Sequence, residues 1–346
     1  MAGQAWIICD GVDVGRLYVV GLPDAGGGAW PGEQLARNRT GAARRSHKGP
    51  AGVSSPERLR LVRKASVMTN PISDPMVENV IVDDVGSVVK LESTPEGVAV
   101  VLINRPAKRN ALDALTIEAL TEAFKTLQGA DHVRVVFLAG AGSSFCAGAD
   151  LEWMAEAANL TEDGNREDAM LVARMLKALS DVPAVTVALA HGAAMGAGTG
   201  VVAACDIAVA SAGTRFAFSE VKLGLIPAMI APYVVNAIGP RAARALFVTG
   251  RTFDAEEALR IGLVHELAAG ASGLQAAKAR ITQEVMAAAP GAVTDAKHLV
   301  WEVWGRPIDH ALMADTAKRL AGRRVGDEGR EGVAAFLGHR KPSWAG

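Results

Sequence analysis

From about residue 78 the chain alternates between apolar runs of strand length and segments whose apolar positions recur every three or four residues. VGSVVKLEST and GVAVVLINR read as successive strands joined by a turn at Pro95, Glu96 and Gly97. Asp113 opens a helix, DALTIEALTEAFKTL, with its apolar positions at helical spacing. RVVFLAG then reads as a strand and MLVARMLKALSDV as a helix that stops before Pro183. AVTVALA is a strand, followed by a small-residue turn, a helix and the strand DIAVA. Repeated strand–helix alternation calls for an α/β fold with a largely parallel, buried sheet. After about residue 270 only helical patterns remain: GLQAAKARITQEVMAAA, AVTDAKHLVWEVW, HALMADTAKRLA and REGVAAFLGHR. The predicted organisation is an α/β core over 78–270 and a helical region over 271–346.

Residues 1–77 do not share this pattern. They hold DAGGGAWPGE and a stretch rich in Arg, Ser, Gly and Pro, with basic residues from Arg37 through Lys64. The reading is a disordered extension, or upstream sequence brought in by a misassigned start, with Met68 or Met76 as the true one. MAGQAWIICD lacks the basic region and apolar core of a secretory signal. The acidic residues Asp10, Asp13, Asp24 and Glu33 count against a transit peptide.

Composition adds exclusions rather than identity. In 346 residues, 50% are hydrophobic and 21% charged, the profile of a soluble protein with ample core. A formal net charge of -1 gives no global attraction to nucleic acid or an anionic membrane. No run approaches the roughly 18 apolar residues needed to span a bilayer. Three widely spaced cysteines, Cys9, Cys146 and Cys205, suggest no disulfide framework and a reducing, cytoplasmic compartment. Cys146 and Cys205 read as buried, inert thiols.

The chemistry gathers in SSFCAGADLEWM (143–154), HGAAMGAGTGVVAACD (191–206) and FAFSEVKLGLIP around Glu220. In the first two, a strand runs through small residues into a helix, which leaves N–H groups unpaired at the helix start. Two such turns brought together can aim two N–H donors at one carbonyl oxygen, an oxyanion hole. A nearby carboxylate then supplies proton transfer. This is equipment for reaction through an enolate.

FCAGADL, GAAMGAG followed by ACDIAVA, and SEVKLGLIP resemble the enoyl-CoA hydratase/isomerase (crotonase) superfamily, as do INRPAKRNAL and the tail EGVAAFLGHRKPSW. FCAGADLEWM, a non-acidic Gly200 and APYVVNAIG look most like bacterial methylglutaconyl-CoA hydratases of leucine catabolism, with relatives in acyclic-terpene degradation. The resemblance implies a crotonase-type spiral of ββα units with a helical C-terminal region that packs homotrimers, often paired as hexamers. It places the oxyanion donors at the backbone N–H groups of Ala149 and Ala197 and the acid/base at Glu220. Burial beside Phe218, Leu225 and Ile226 is expected to raise the pKa of Glu220. Gly200 stands where most hydratases of the superfamily carry a first glutamate. Hydration by a lone glutamate and isomerisation of a 3-enoyl-CoA therefore both stay open, with the subgroup resemblance favouring hydration of a branched or carboxylated enoyl-CoA such as 3-methylglutaconyl-CoA.

The resemblance sets Lys108 and Arg109 by the adenine and ribose phosphate of coenzyme A, with Ala147 and Asp150 nearby, and gives Phe336 and Lys341 to a neighbouring subunit's site. Asp150 reads equally as a helix cap. Lys222 is either a partner for a second substrate carboxylate or a solvated helix residue. Trp153 and Met154 line the acyl pocket or belong to the core, and Tyr233 is a weaker case of the same kind. No cofactor is implied beyond the coenzyme A of the substrate. His191, His265, His298, His310 and His339 have no metal-ligand spacing, so no metal is implied. The glycines at 196, 198 and 200 lack dinucleotide-binding spacing. Ser219 to Lys222 spells S-x-x-K without the partner motifs of a serine acylase. The remaining class, an RNA-binding or scaffold homologue, rests on the basic stretch before residue 65 alone. Neither a membrane nor a nucleic-acid partner is expected.

Overall fold

The computed structural model describes residues 81–83 and 88–345, so the expected extension over 1–77 lies outside the described residues. The main sheet has seven strands in the order β1 (Ile81–Asp83), β2 (Val89–Ser93), β3 (Val98–Ile103), β4 (Val135–Gly140), β5 (Val185–Ala190), β7 (Ile207–Ser211) and β10 (Glu266–Ala268). β1 to β3 pair antiparallel and the rest of the sheet is parallel. A smaller sheet joins β6 (Ala193–Met195), β8 (Arg215–Ala217) and β9 (Thr252–Asp254). The chain visits the two sheets in turn, with a helix closing each circuit: β5, β6 and α4 (Ala197–Ala204), then β7, β8 and α5 (Ala231–Thr249). This alternation is the spiral.

The central strands are apolar at nearly every position because each face is covered, Thr186 of β5 being held by the Asp206 carboxylate. In β4, Val136 and Leu138 join one core cluster and Val135 and Phe137 the other. β5 divides the same way, small Ala188 and Ala190 against large Val187 and Leu189. The first cluster packs against α1 (Ala114–Gln128), α3 (Glu162–Ser180), α4 and α5. The second packs against α7 (Gly270–Ala287), which buries Leu274, Ala277, Ile281 and Val285. The helical region expected from residue 271 thus begins with a helix that completes the sheet's second face.

Local chemistry sets the helix limits. Asp113 caps α1, its carboxylate accepting from Thr116 N at 2.8 Å. Thr161 caps α3, nine residues ahead of the apolar pattern that predicts it. α5 breaks at Gly239, whose φ of 73° no helix allows, just before Pro240. The short α2 (Leu151–Ala157) and α6 (Ala255–Arg260) complete the spiral. Three further helices follow α7: α8 (Pro290–Val303), α9 (His310–Val325) and α10 (Asp327–Leu337). α8 is fastened to the core by Lys297, 8% exposed, whose Nζ lies 2.7 Å from the Asp206 carboxylate and donates to Val182 O at 2.8 Å. Among the described residues no helix is long and apolar enough to cross a membrane.

Candidate active site

The two glycine-rich turns lie side by side. Phe145 N donates to His191 O (2.9 Å), Cys146 N to Ala193 O (3.0 Å) and Met195 N to Cys146 O (3.0 Å). Backbones this close need glycine. A Cβ on Gly148 (φ 96°) would stand 2.9 Å from Met195 O, and one on Gly198 would stand 2.6 Å from Cys146 O. Gly196, at φ 48° and ψ -117°, turns β6 into α4 through a backbone state that side chains disfavour. Its N–H is held by Ala217 O at 2.9 Å. Thr199, fully buried, donates to Ala194 O (2.6 Å) and Ala217 O (3.1 Å), which ties β6 and β8 to the start of α4.

These turns leave two donors unspent. Among the described residues neither Ala149 N–H nor Ala197 N–H has an acceptor. Ala149 precedes the N-cap of α2, and Ala197 is the first residue of α4, where the helix dipole favours negative charge.

Glu220 stands over the second turn. It opens a short 3-10 segment, Glu220–Leu223, directly after β8. Oε1 would lie 3.1 Å from a Cβ on Gly196, so the missing side chain at 196 makes room for the carboxylate. Oε2 is buried and has no hydrogen-bond partner among the described residues. Burial pushes the Glu220 carboxyl above its ordinary value, against a smaller lowering from its own backbone N–H. Phe218 anchors the segment: fully buried, it meets Phe247 edge-on at 5.1 Å and tilts over Phe253 at 5.9 Å. Leu225 and Ile226 do not share that burial. They are 52% and 74% exposed in this chain, so of the three apolar neighbours expected to bury Glu220 only Phe218 is itself buried.

Gly200 is one helical turn beyond Gly196 on the same side of α4. A Cβ there would fall inside the side chain of Ile230, which is 3% exposed. The chain therefore holds Glu220 on one notch of α4 and Ile230 in the other. No second carboxylate fits.

The other predicted residues separate into those at the turns and those elsewhere. Ala147 lies in the first turn, its N–H bound to Arg109 O at 3.0 Å. Asp150, 3% exposed, caps α2 through Glu152 N at 3.0 Å and takes an ion pair from Arg105 at 3.1 Å. That settles its structural part. Lys108 is exposed and pairs with Glu152 at 3.0 Å, and Arg109 is exposed with a left-handed φ of 50°. Trp153 is half-buried against the core, with Nε1 donating to Asp168 at 3.0 Å, so it fastens α2 to α3. Tyr233 also packs half-buried on the core, and Met154 is half-buried. Lys222 is exposed, its stem running along Gly250 at the end of α5. Phe336 is 81% exposed on α10, and Lys341 is exposed beyond it. Cys146 and Cys205 are free, and burial pushes the Cys146 thiol up to about 12, far from reactive. Arg105 and Asn110 escaped the sequence reading, because a pattern cannot show that a cation or an amide is buried.

The sequence profile of the enoyl-CoA hydratase/isomerase family matches residues 93–346. A Clostridium acetobutylicum short-chain-enoyl-CoA hydratase is 32% identical over 246 residues, 70% of this chain and 92% of its own. A Legionella pneumophila structure assigned as enoyl CoA hydratase/isomerase (crotonase) superposes with TM-score 0.71 at 41% identity, covering 75% of this chain and 99% of that one. Pseudomonas aeruginosa AtuE superposes with TM-score 0.72 at 36% identity over 75% and 100% of the two chains.

Proposed function

The chain belongs to the enoyl-CoA hydratase/isomerase family, and from that premise we propose that it adds water across the α,β double bond of an enoyl-CoA. The observation that carries the reading is the buried, unpartnered Oε2 of Glu220 beside a turn pair with two unspent N–H groups. In this reading the thioester oxygen accepts from Ala149 N–H and Ala197 N–H. Glu220 takes a proton from water as the water oxygen bonds to the β-carbon. The electron pair of the double bond moves onto the thioester oxygen as an enolate. Glu220 then returns the proton to the α-carbon, so H and OH have been added and the carboxylate is restored. One preorganised donor is worth about 3–4 kcal/mol in such a site. The coenzyme A belongs to the substrate, and no cofactor takes part.

A branched or carboxylated acyl group such as 3-methylglutaconyl is the proposed substrate. Family likeness supports it, with Lys222, two residues from Glu220, as the cation for a second carboxylate. Lys108 and Arg109 are the proposed contacts for the nucleotide end, beside Ala147. Phe336 and Lys341 are proposed to reach the site of a neighbouring copy. A reducing, cytoplasmic setting is the proposed location.

Isomerisation is the second reading, favoured by the single-carboxylate geometry that Ile230 enforces at Gly200. The same Glu220 would move a proton from C2 of a 3-enoyl-CoA to C4. One experiment separates the two: wild type and Glu220→Gln are assayed on crotonyl-CoA, 3-methylglutaconyl-CoA and a 3-enoyl-CoA. Hydration is expected, lost about 10²–10⁴-fold in the variant. Isomerised 3-enoyl product without hydrated product would transfer the assignment to the isomerase, and a variant that keeps full rate would remove Glu220 from the mechanism. RNA binding would need the basic stretch before residue 65, which lies outside the described residues; absence of binding at low salt ends that reading.

A further inference from the structure

We propose that Arg105, Asn110 and Asp113 form a clamp that sets the direction of the Ala149 N–H, making them positioning residues for the reaction. The proposal rests on the reading that this N–H meets the thioester oxygen.

Ala149 is bracketed by a single residue. Leu112 N donates to Gly148 O at 2.7 Å, and Leu112 O accepts from Asp150 N at 2.8 Å. The peptide units on either side of Ala149 are therefore fixed to Leu112, and the orientation of the N–H between them follows from where the 105–113 segment lies.

That segment is gripped from within. The Arg105 guanidinium is 14% exposed and lies 2.8 Å from Asp113 and 3.1 Å from Asp150, with a further bond to Ala111 O. A planar fork can serve these acceptors at once, where a lysine ammonium would act as one point charge. Asn110 is fully buried in the left-handed region, at φ 58°. Its amide donates to Ala141 O (2.8 Å) and Ser144 O (2.7 Å), and its Oδ1 accepts from Arg105 N at 2.8 Å. So one end of the clamp holds the strand end before the first turn, and the other holds Asp150 just after Ala149. Asp150 in turn caps α2, so the donor, the cap and the clamp share one buried carboxylate. None of the three clamp residues need touch substrate. An oxyanion donor works only when held within about 0.5 Å of its productive place, which is what such a clamp supplies.

The test compares Arg105→Lys, Asn110→Gly and Asp113→Asn with wild type on its best enoyl-CoA, measuring kcat, KM, the pH profile and the melting temperature. Asn110→Gly keeps the left-handed backbone but loses the amide. Positioning of a donor used only in the transition state predicts that kcat falls at least fivefold, with KM within about threefold. The acid limb assigned to Glu220 should not move. Arg105→Lys should be the most affected, by about 10–100-fold. Folded variants that lose less than fivefold in kcat, or lose activity through KM alone, would overturn the clamp. Should Arg105→Lys or Asn110→Gly fail to fold, Asp113→Asn decides, since it leaves the Arg105–Asp150 pair in place. A wild type inert on every enoyl-CoA would defeat the functional reading and the clamp together; an active wild type with unaffected variants defeats the clamp alone.

Discussion

In its proposed role as acid/base, Glu220 combines two demands that oppose each other. A carboxylate that exchanges protons near neutrality needs burial, and burial costs stability whenever the group is charged. The folded chain holds the Glu220 proton more tightly than the unfolded chain does. Between the ordinary value of 4.5 and the raised folded one, the folded state binds more protons, so stability falls as pH rises through that window and stays lowered above it. Glu220→Gln, neutral throughout, is expected to melt at a higher temperature than wild type at about pH 8. The two should converge below about pH 4. Melting curves at both pH values check this, and a variant that melts lower than wild type at pH 8 would show that the carboxylate finds compensation in the fold. At this scale the sequence was informative where chemistry shows as residue type. Glu220 and the small residues at 149 and 197 could be picked from motifs. Arg105 could not, since Lys108 and Arg109 carry the same charge in the same segment and only packing shows which cation is drawn between two carboxylates.

Among the elements, α4 decides how many carboxylates the site holds. Its two notches, at Gly196 and Gly200, are filled by Glu220 and Ile230. Gly200→Ala forces a methyl group into Ile230 and is expected to cost about 1–3 kcal/mol, the usual penalty for overpacking. Ile230→Ala alone should cost about 2–5 kcal/mol, and the double variant should lose less than the sum of the two, which denaturant unfolding of the single and double variants would show. Additive losses would mean that the two side chains do not compete. The apolar periodicity located β2 to β5 and β7, whose runs are buried on one or two faces, and the helices α1, α3, α4 and α7 to α10. It missed α5, which breaks at Gly239, and the six-residue α6, and also β1, β6, β8, β9, β10 and the Glu220–Leu223 segment, each of these last three or four residues long. Pieces that short hold too few residues for a period, and what holds them lies outside them in sequence: Thr199 bonds to β6 and β8, and Phe218 packs on Phe253 of β9.

For the whole molecule, assembly is the open expectation. The described chain leaves Trp301, Trp304 and Ile308 exposed at 48%, 68% and 88%, on α8 and the loop after it. Large apolar groups clustered in solvent mark interaction surfaces. Light scattering after gel filtration is expected to give three or six times the single-chain mass. A single-chain mass would sink the trimer and with it the contribution of Phe336 and Lys341 to a neighbouring site.

The sequence by itself determined the alternation of strands and helices, the family, and the residue types of the two glycine-rich turns and of the carboxylate proposed as acid/base. These are properties of local pattern, and local pattern is written in the order of residues. The tertiary structure alone decided that α7 closes the second face of the sheet, that Ile230 occupies the space beside Gly200, and that Arg105 rather than its neighbours is half-buried between two carboxylates. Each depends on segments far apart in the chain meeting at van der Waals distance, and which atom fills which space is settled only when the chain is packed.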